Sequence, residues 1–94
     1  MNVVGQGKLE EFKRRHTDAR KQIDAWLREA RGAAWLTPHD VKQRYVQASF
    51  LGEGRVVFNL KGNRYRLDTK ISYTKQIVVI VRIGTHAEYD SWSF

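Results

Sequence analysis

The 94-residue sequence predicts an α+β fold: a small antiparallel sheet with two or three N-terminal helices packed on one face. The sheet is expected to combine a three-strand C-terminal meander with a short N-terminal strand. Three observations carry this. Apolar residues recur at helical spacing between residues 8 and 45. After Gly54 the period changes to two. Short polar turns separate the alternating segments.

Met1–Val4 reads as a short edge strand, broken by Gly5 and Gly7. Lys8–His16 places Leu9 and Phe12 on one helical face. Asp18–Arg31 is the stronger helix, with Ala19, Ile23, Trp26, Leu27 and Ala30 in phase. Thr17 or Asp18 can cap its start and Gly32 can end it. Its other face, with Arg20, Lys21, Asp24, Arg28 and Arg31, reads as solvated. Thr37 suits an N-cap and Pro38 a first helical position, so a third helix is expected over Pro38–Tyr45. Gly52-Glu53-Gly54 reads as a loop. Val56, Phe58 and Leu60 then alternate with Val57 and Asn59. Lys61-Gly62-Asn63 turns the chain. Tyr65, Leu67, Thr69 and Ile71 alternate with Arg64, Arg66, Asp68 and Lys70. After the Tyr73–Gln76 turn, Ile77, Val79, Val81 and Ile83 alternate with Val78, Ile80 and Arg82.

Length and an apolar content of 41% fit one domain over residues 1–94 with a single two-layer core. The formal charge of +7 points to a phosphate-rich partner. No segment approaches the ~20 apolar residues of a membrane span, and the N-terminus lacks a signal-peptide pattern. There is no cysteine, which excludes disulfides and thiolate metal sites and fits a reducing cytoplasm.

Between Arg55 and Arg82 there are seven Lys or Arg against one acid, Asp68. Arg64 and Arg66 are two apart, so in a strand they point the same way. Lys70 lies further along that face and Arg82 on the next strand. Such a face is either solvated or a phosphate-binding surface; phosphate contacts come mainly from Arg and Lys. The block after the last strand, Thr85, His86, Glu88, Tyr89 and Asp90, contains the most interesting of the three histidines. Imidazole titrates near neutrality and suits proton transfer, although His86 can also simply sit in a short helical turn, His86–Asp90. His16 and His39 fall at helix ends and read as structural or exposed. Tyr65 is in phase with core residues, whereas Tyr89 lies beyond the sheet and is the better candidate for a base contact. His-x-Glu is too short to count as a zinc motif, and no metal or other cofactor is expected.

Phe58-Asn59-Leu60-Lys61-Gly62-Asn63-Arg64-Tyr65-Arg66-Leu67, Ile71-Ser72-Tyr73, Gln76-Ile77-Val78 and Val81-Arg82-Ile83-Gly84-Thr85-His86-Ala87-Glu88-Tyr89-Asp90 closely resemble the HigB toxins of bacterial type II toxin–antitoxin modules, part of the RelE-like superfamily. Ala25-Trp26, Trp35 and Asp40-Val41-Lys42 fit as well, so the resemblance covers almost the whole chain. It implies an mRNA interferase that enters the ribosomal A site and cuts mRNA with the ribose 2′-OH as nucleophile, without metal. It also implies a cognate HigA-like helix-turn-helix antitoxin. Carried onto this sequence, Arg66, Arg82, His86 and Tyr89 are the candidate catalytic residues, and Lys61, Asn63, Arg64 and Lys70 the candidate RNA-binding ones. Two departures stand out. Asp68-Thr69 replaces a commonly apolar pair, and the acid is expected to weaken RNA affinity. Gly5-Gln6-Gly7 is looser than the usual first strand. The rival readings are a non-catalytic RNA- or ribosome-binding module and a regulatory subunit that binds only an antitoxin.

Overall fold

Ten elements run through the computed structural model, which describes residues 1–94 throughout. They are β1 (Asn2–Val4), α1 (Gln6–Arg15), a 3₁₀ turn (Thr17–Ala19), α2 (Arg20–Gly32), α3 (Pro38–Arg44), β2 (Ser49–Gly52), β3 (Arg55–Leu60), β4 (Tyr65–Ser72), β5 (Ile77–Thr85) and α4 (His86–Asp90). The five strands form one sheet in the order β1-β5-β4-β3-β2. The α+β class is as the sequence predicts. The sheet, however, has one more strand than expected and is mixed rather than purely antiparallel.

The extra strand is β2, which pairs antiparallel with β3 through Ser49↔Val57 and Phe50↔Val56. Four residues without apolar–polar alternation leave no period to read. Pairing is imposed by the turn that follows, where Glu53 and Gly54 both take positive φ, 53° and 80°. At the other edge β1 runs parallel to β5, Val3 opposite Val78. The sequence between these strands acts as one long crossover, and strand direction leaves no trace in local composition. Gly5-Gln6-Gly7 is not a loosened strand: Gly5 makes the corner and α1 starts at Gln6.

The helices cover one face. Leu9 and Phe12 from α1, Ile23, Trp26, Leu27 and Ala30 from α2, and Val41 from α3 meet Val56, Phe58 and Leu60 of β3, Tyr65, Leu67 and Ile71 of β4, and Val78 and Ile80 of β5. Phe58 is the hub, edge-on to Trp26 at 5.3 Å and to Tyr45 at 5.1 Å. The α3 start is a full capping box: Thr37 Oγ1 accepts from the Asp40 N–H at 3.3 Å, and Asp40 Oδ2 accepts from the Thr37 N–H at 3.2 Å.

The turn before β3 is tight. A Cβ on Gly54 would lie 2.5 Å from the Ile71 carbonyl oxygen, and the Gly54 carbonyl accepts from the Ile71 N–H at 2.8 Å. Gly54→Ala therefore combines a positive-φ penalty of roughly 1–3 kcal/mol with a backbone clash. Its melting temperature is expected to fall by about 10 °C or more, at 4–8 °C per kcal/mol for a chain of this size. A drop under about 3 °C would show that the turn relaxes freely.

Polar contacts tie the helical layer together and fasten it to the sheet. The Tyr65 hydroxyl donates to Asp18 Oδ1 at 2.6 Å, and the Tyr45 hydroxyl to Glu29 Oε2 at 2.6 Å. The Lys13 ammonium donates to Asp24 at 2.6 Å. These hydrogen bonds hold the carboxyls of Asp18, Glu29 and Asp24 below their ordinary range. The tyrosines move the opposite way: Tyr65 is raised first by its bond to Asp18, Tyr45 first by burial. A depressed carboxylate contributes stability above its unfolded pKa, and loses it as pH falls through the folded value. A raised phenol contributes below its unfolded value and loses it as pH rises. The melting temperature is thus expected to be flat through neutrality, to fall below about pH 4 and to fall again above about pH 10. In Asp18→Asn the acid limb should be shallower; an unchanged limb would remove Asp18 from this linkage.

Candidate functional site

The face of the sheet opposite the helices carries the charge. In β4 the pleat sends Tyr65, Leu67 and Ile71 into the core and Arg66, Asp68 and Lys70 to the other side. In β5, Val78 and Ile80 are core residues, so simple alternation would send Arg82 into the core as well. A bulge prevents this. Asp68 pairs with Arg82 but Thr69 with Ile80, so Val81 is an extra residue in β5. The inserted residue reverses the pleat. Ile83 then packs on the core side opposite Leu67, and Arg82 joins Asp68 on the open face.

Asp68, the single acid among these cations, is bound to two of them. Its side chain is fully buried, and it accepts from Arg55 Nη2 at 2.5 Å, Arg55 Nε at 3.3 Å and Arg82 Nε at 2.9 Å. One carboxylate thus holds two guanidiniums from the strands on either side of it. Arg66 lies further along the face. Its Nη1 donates to the Asn63 carbonyl at 2.7 Å, and its guanidinium sits 5.1 Å from the Tyr89 ring. Lys70 is exposed on the same face, opposite Arg55 in register.

Arg64 is elsewhere. It precedes β4, in the exposed turn, and its guanidinium donates to Asp18 Oδ2 at 3.0 Å. The period-two argument that put it beside Arg66 fails because the strand begins at Tyr65. Lys61 and Asn63 occupy the same exposed turn. The Lys61 backbone N–H is bonded to the Gln22 side chain, and Asn63 Oδ1 accepts from Asn59 Nδ2 at 3.1 Å.

The block after β5 forms α4, started by a second capping box. Thr85 Oγ1 accepts from the Glu88 N–H at 3.2 Å and Glu88 Oε1 from the Thr85 N–H at 2.9 Å. The backbone bond from Thr85 holds the Glu88 carboxyl below its usual range. Glu88 is therefore committed to the cap. His86 is half-exposed, with Nδ1 3.2 Å from Asp90 Oδ2. It connects to the arginines through rings: His86 to Tyr89 at 6.5 Å, Tyr89 to Trp92 at 5.6 Å, and Trp92 to the Arg82 guanidinium at 4.5 Å. Phe94 continues the series, 5.1 Å from Arg82 and 5.3 Å from Arg55.

The structure therefore brings Arg66, Arg82 and Tyr89 to one face with His86 at its end and leaves Lys70 near; the Arg64 side chain turns away to Asp18, while its carbonyl accepts from the His86 N–H at 2.9 Å. Arg55, Trp92 and Phe94 were missed from sequence. Arg55 was readable, since Arg55, Val57 and Asn59 alternate with the core residues of β3. The two aromatics follow the last periodic segment and carry no pattern. No group of three or more His, Cys, Asp or Glu side chains is placed to hold a metal ion. None of the four surface cavities is lined by Arg66, Arg82, His86 or Tyr89. The site is a surface, not a pocket.

Three N-terminal helices on one side of the sheet and an arginine-bearing face on the other fit a RelE-like fold. The family model for HigB toxins, described as the RelE-like toxic component of a toxin–antitoxin system, matches residues 19–92, and the chain belongs to this family. It is the toxin of a toxin–antitoxin pair, and an antitoxin is its implied partner. No curated protein matches the chain. No helix is long and apolar enough to cross a membrane.

Removing the shared carboxylate would leave two adjacent guanidiniums uncompensated. Breaking a fully buried pair costs about 3–5 kcal/mol. The side chains of Arg55 and Arg82 are 26% and 33% exposed, so water recovers part of this. Asp68→Ala is expected to lose about 2–3 kcal/mol in urea unfolding, and less in high salt. A loss below about 0.5 kcal/mol would mean that the arginines do not depend on Asp68.

Proposed function

We propose that this toxin is an endoribonuclease that cuts mRNA in the ribosomal A site by attack of a ribose 2′-OH, without a metal ion. The observation that carries the reading is the sheet face opposite the helices: Arg55 and Arg82 share Asp68, a buried Arg66 lies further along β4 against Tyr89, and His86 stands exposed at the end. With Nδ1 turned to Asp90, the imidazole leaves Nε2 free to accept the 2′-OH proton. The 2′-oxygen attacks phosphorus, the bond to O5′ breaks, and the departing oxygen takes a proton. The products are a 2′,3′-cyclic phosphate and a 5′-hydroxyl. Arg66 and Arg82 stabilise charge on the crowded phosphorane. Tyr89, backed by Arg66, positions the base by stacking or assists proton transfer. Lys61, Asn63, Arg64 and Lys70 hold the flanking backbone.

A surface without a cavity orients its substrate poorly, which favours dependence on the ribosome for alignment. It acts in the cytoplasm, where mRNA is translated, and a HigA-like helix-turn-helix antitoxin blocks it.

General acid–base catalysis contributes about 10²–10⁴-fold. His86→Ala is expected to slow cleavage of ribosome-bound mRNA by that factor and to relieve growth arrest on induction without antitoxin, with an unchanged melting temperature. Cleavage should persist in EDTA on ribosome complexes stabilised by polyamine. Cleavage should fail when the scissile ribose is 2′-deoxy or 2′-O-methyl. A folded, fully toxic His86→Ala protein would remove His86 from the mechanism and favour a non-catalytic ribosome-binding module. Rapid cutting of the blocked substrate would sink 2′-OH attack.

A further inference from the structure

We propose that Trp92 and Phe94 form a nucleobase-stacking site on the open face, taking one unpaired RNA base next to a phosphate held by Arg55 and Arg82. The inference rests on the reading that this face holds RNA, and it adds which rings the RNA meets. Trp92 is the last residue matched by the family model and Phe94 lies two residues beyond it.

Phe94 is 57% exposed, while every other Phe, Tyr and Trp is buried or half-buried. It is not part of the core cluster. Yet the segment that carries it is held against the sheet. Arg82 Nη2 donates to the Ser93 carbonyl at 2.9 Å, and the Trp92 N–H donates to the Tyr89 carbonyl at 3.0 Å. Trp92 lies over Gly84, where a Cβ would come within 2.9 Å of its ring. The glycine thus leaves the space that lets an indole lie on the strand. The segment's backbone is thus placed before binding, which lowers the ordering cost of presenting the ring.

The rings and cations interleave. Arg82 contacts both Trp92 and Phe94, and Arg55 contacts Phe94. Each guanidinium has spent Nε and Nη2 on protein acceptors, and Nη1 of each has no protein partner. A phosphate can take those donors while its base takes the open side of the ring. Stacking rings alongside a cationic track is the general solution for binding single strands. A ring serving only to shield Asp68 would need no open side.

The test is binding of the full chain to a short single-stranded 2′-O-methyl RNA, which cannot be cut by 2′-OH attack. Phe94→Leu keeps an apolar cover and removes the aromatic face. It is expected to weaken binding by about 5- to 100-fold, with the salt dependence unchanged because no phosphate contact is lost. Phe94→Trp should bind as well as the parent chain. An oligonucleotide with one abasic position, scanned along the strand, should at one position lose the same factor with the parent chain and nothing further with Phe94→Leu. If Phe94→Leu binds intact and abasic RNA as the parent does, the stacking site is wrong although the face still holds RNA. If the parent chain shows no salt-dependent RNA binding at all, both this inference and the RNA reading fall.

Discussion

Arg82 reaches the open face because β5 carries one residue too many. Without the bulge at Val81, the phase set by Val78 and Ile80 would drive a guanidinium into the apolar layer beneath the helices. With it, one strand serves two surfaces. Its first half faces Val78 and Ile80 into the core; past the bulge, Ile83 takes over the core side and Arg82 turns outward. The bulge also increases local twist, just before the strand ends in Thr85 and the α4 cap. Arg82, Gly84 and α4 all take their positions from that point, and the aromatic segment takes its place from them.

Once Arg82 is on the face, its charge must be tolerated. Cations on neighbouring strands repel, and a bare row of Arg55, Arg66 and Arg82 would work against folding. Asp68 resolves this for two of them by standing between β3 and β5 and bonding to both sides. Arg66 is handled differently, by a backbone carbonyl and the Tyr89 ring. The carboxylate removes one unit of charge but fixes the direction of two forks. The acid that departs from the commonly apolar pair is what holds these two guanidiniums in place. Anion affinity on such a face depends more on donors held in place than on raw charge, because a preorganised donor has less freedom to lose.

The sequence was most legible where one physical signal dominated. The apolar stripe of α2, the Thr37-Pro38 start of α3 and the alternation of β3 and β4 all follow from local periodicity or capping chemistry. It was least legible where geometry comes from a partner. β2 exists because β3 offers it an edge, and β1 is parallel because of a crossover. The Val81 bulge is a mismatch between two strands and belongs to neither alone. The assignment of Arg82 to the cationic face thus rested on an alternation that the strand does not keep. Arg64 illustrates the opposite error. Its two-residue offset from Arg66 was real, but the strand that would have made the offset meaningful starts one residue later.

The two faces also divide the physical work. The helix side buries the large side chains and fixes the fold, with Phe58 touching Trp26, Trp35 and Tyr45. The open side has only a thin cover: an ion cluster, a short helix and a four-residue aromatic segment. A thin cover leaves Arg55 and Arg82 partly exposed, while Arg66 is buried beneath it. It also keeps them in contact with rings, so each guanidinium is partly desolvated before any ligand arrives. Partial desolvation strengthens a charge–phosphate contact relative to a fully hydrated side chain, while the shared carboxylate limits what that desolvation costs the free protein. On this 94-residue chain the arginines of the open side are carried on a surface that none of the four cavities reaches except at Arg55.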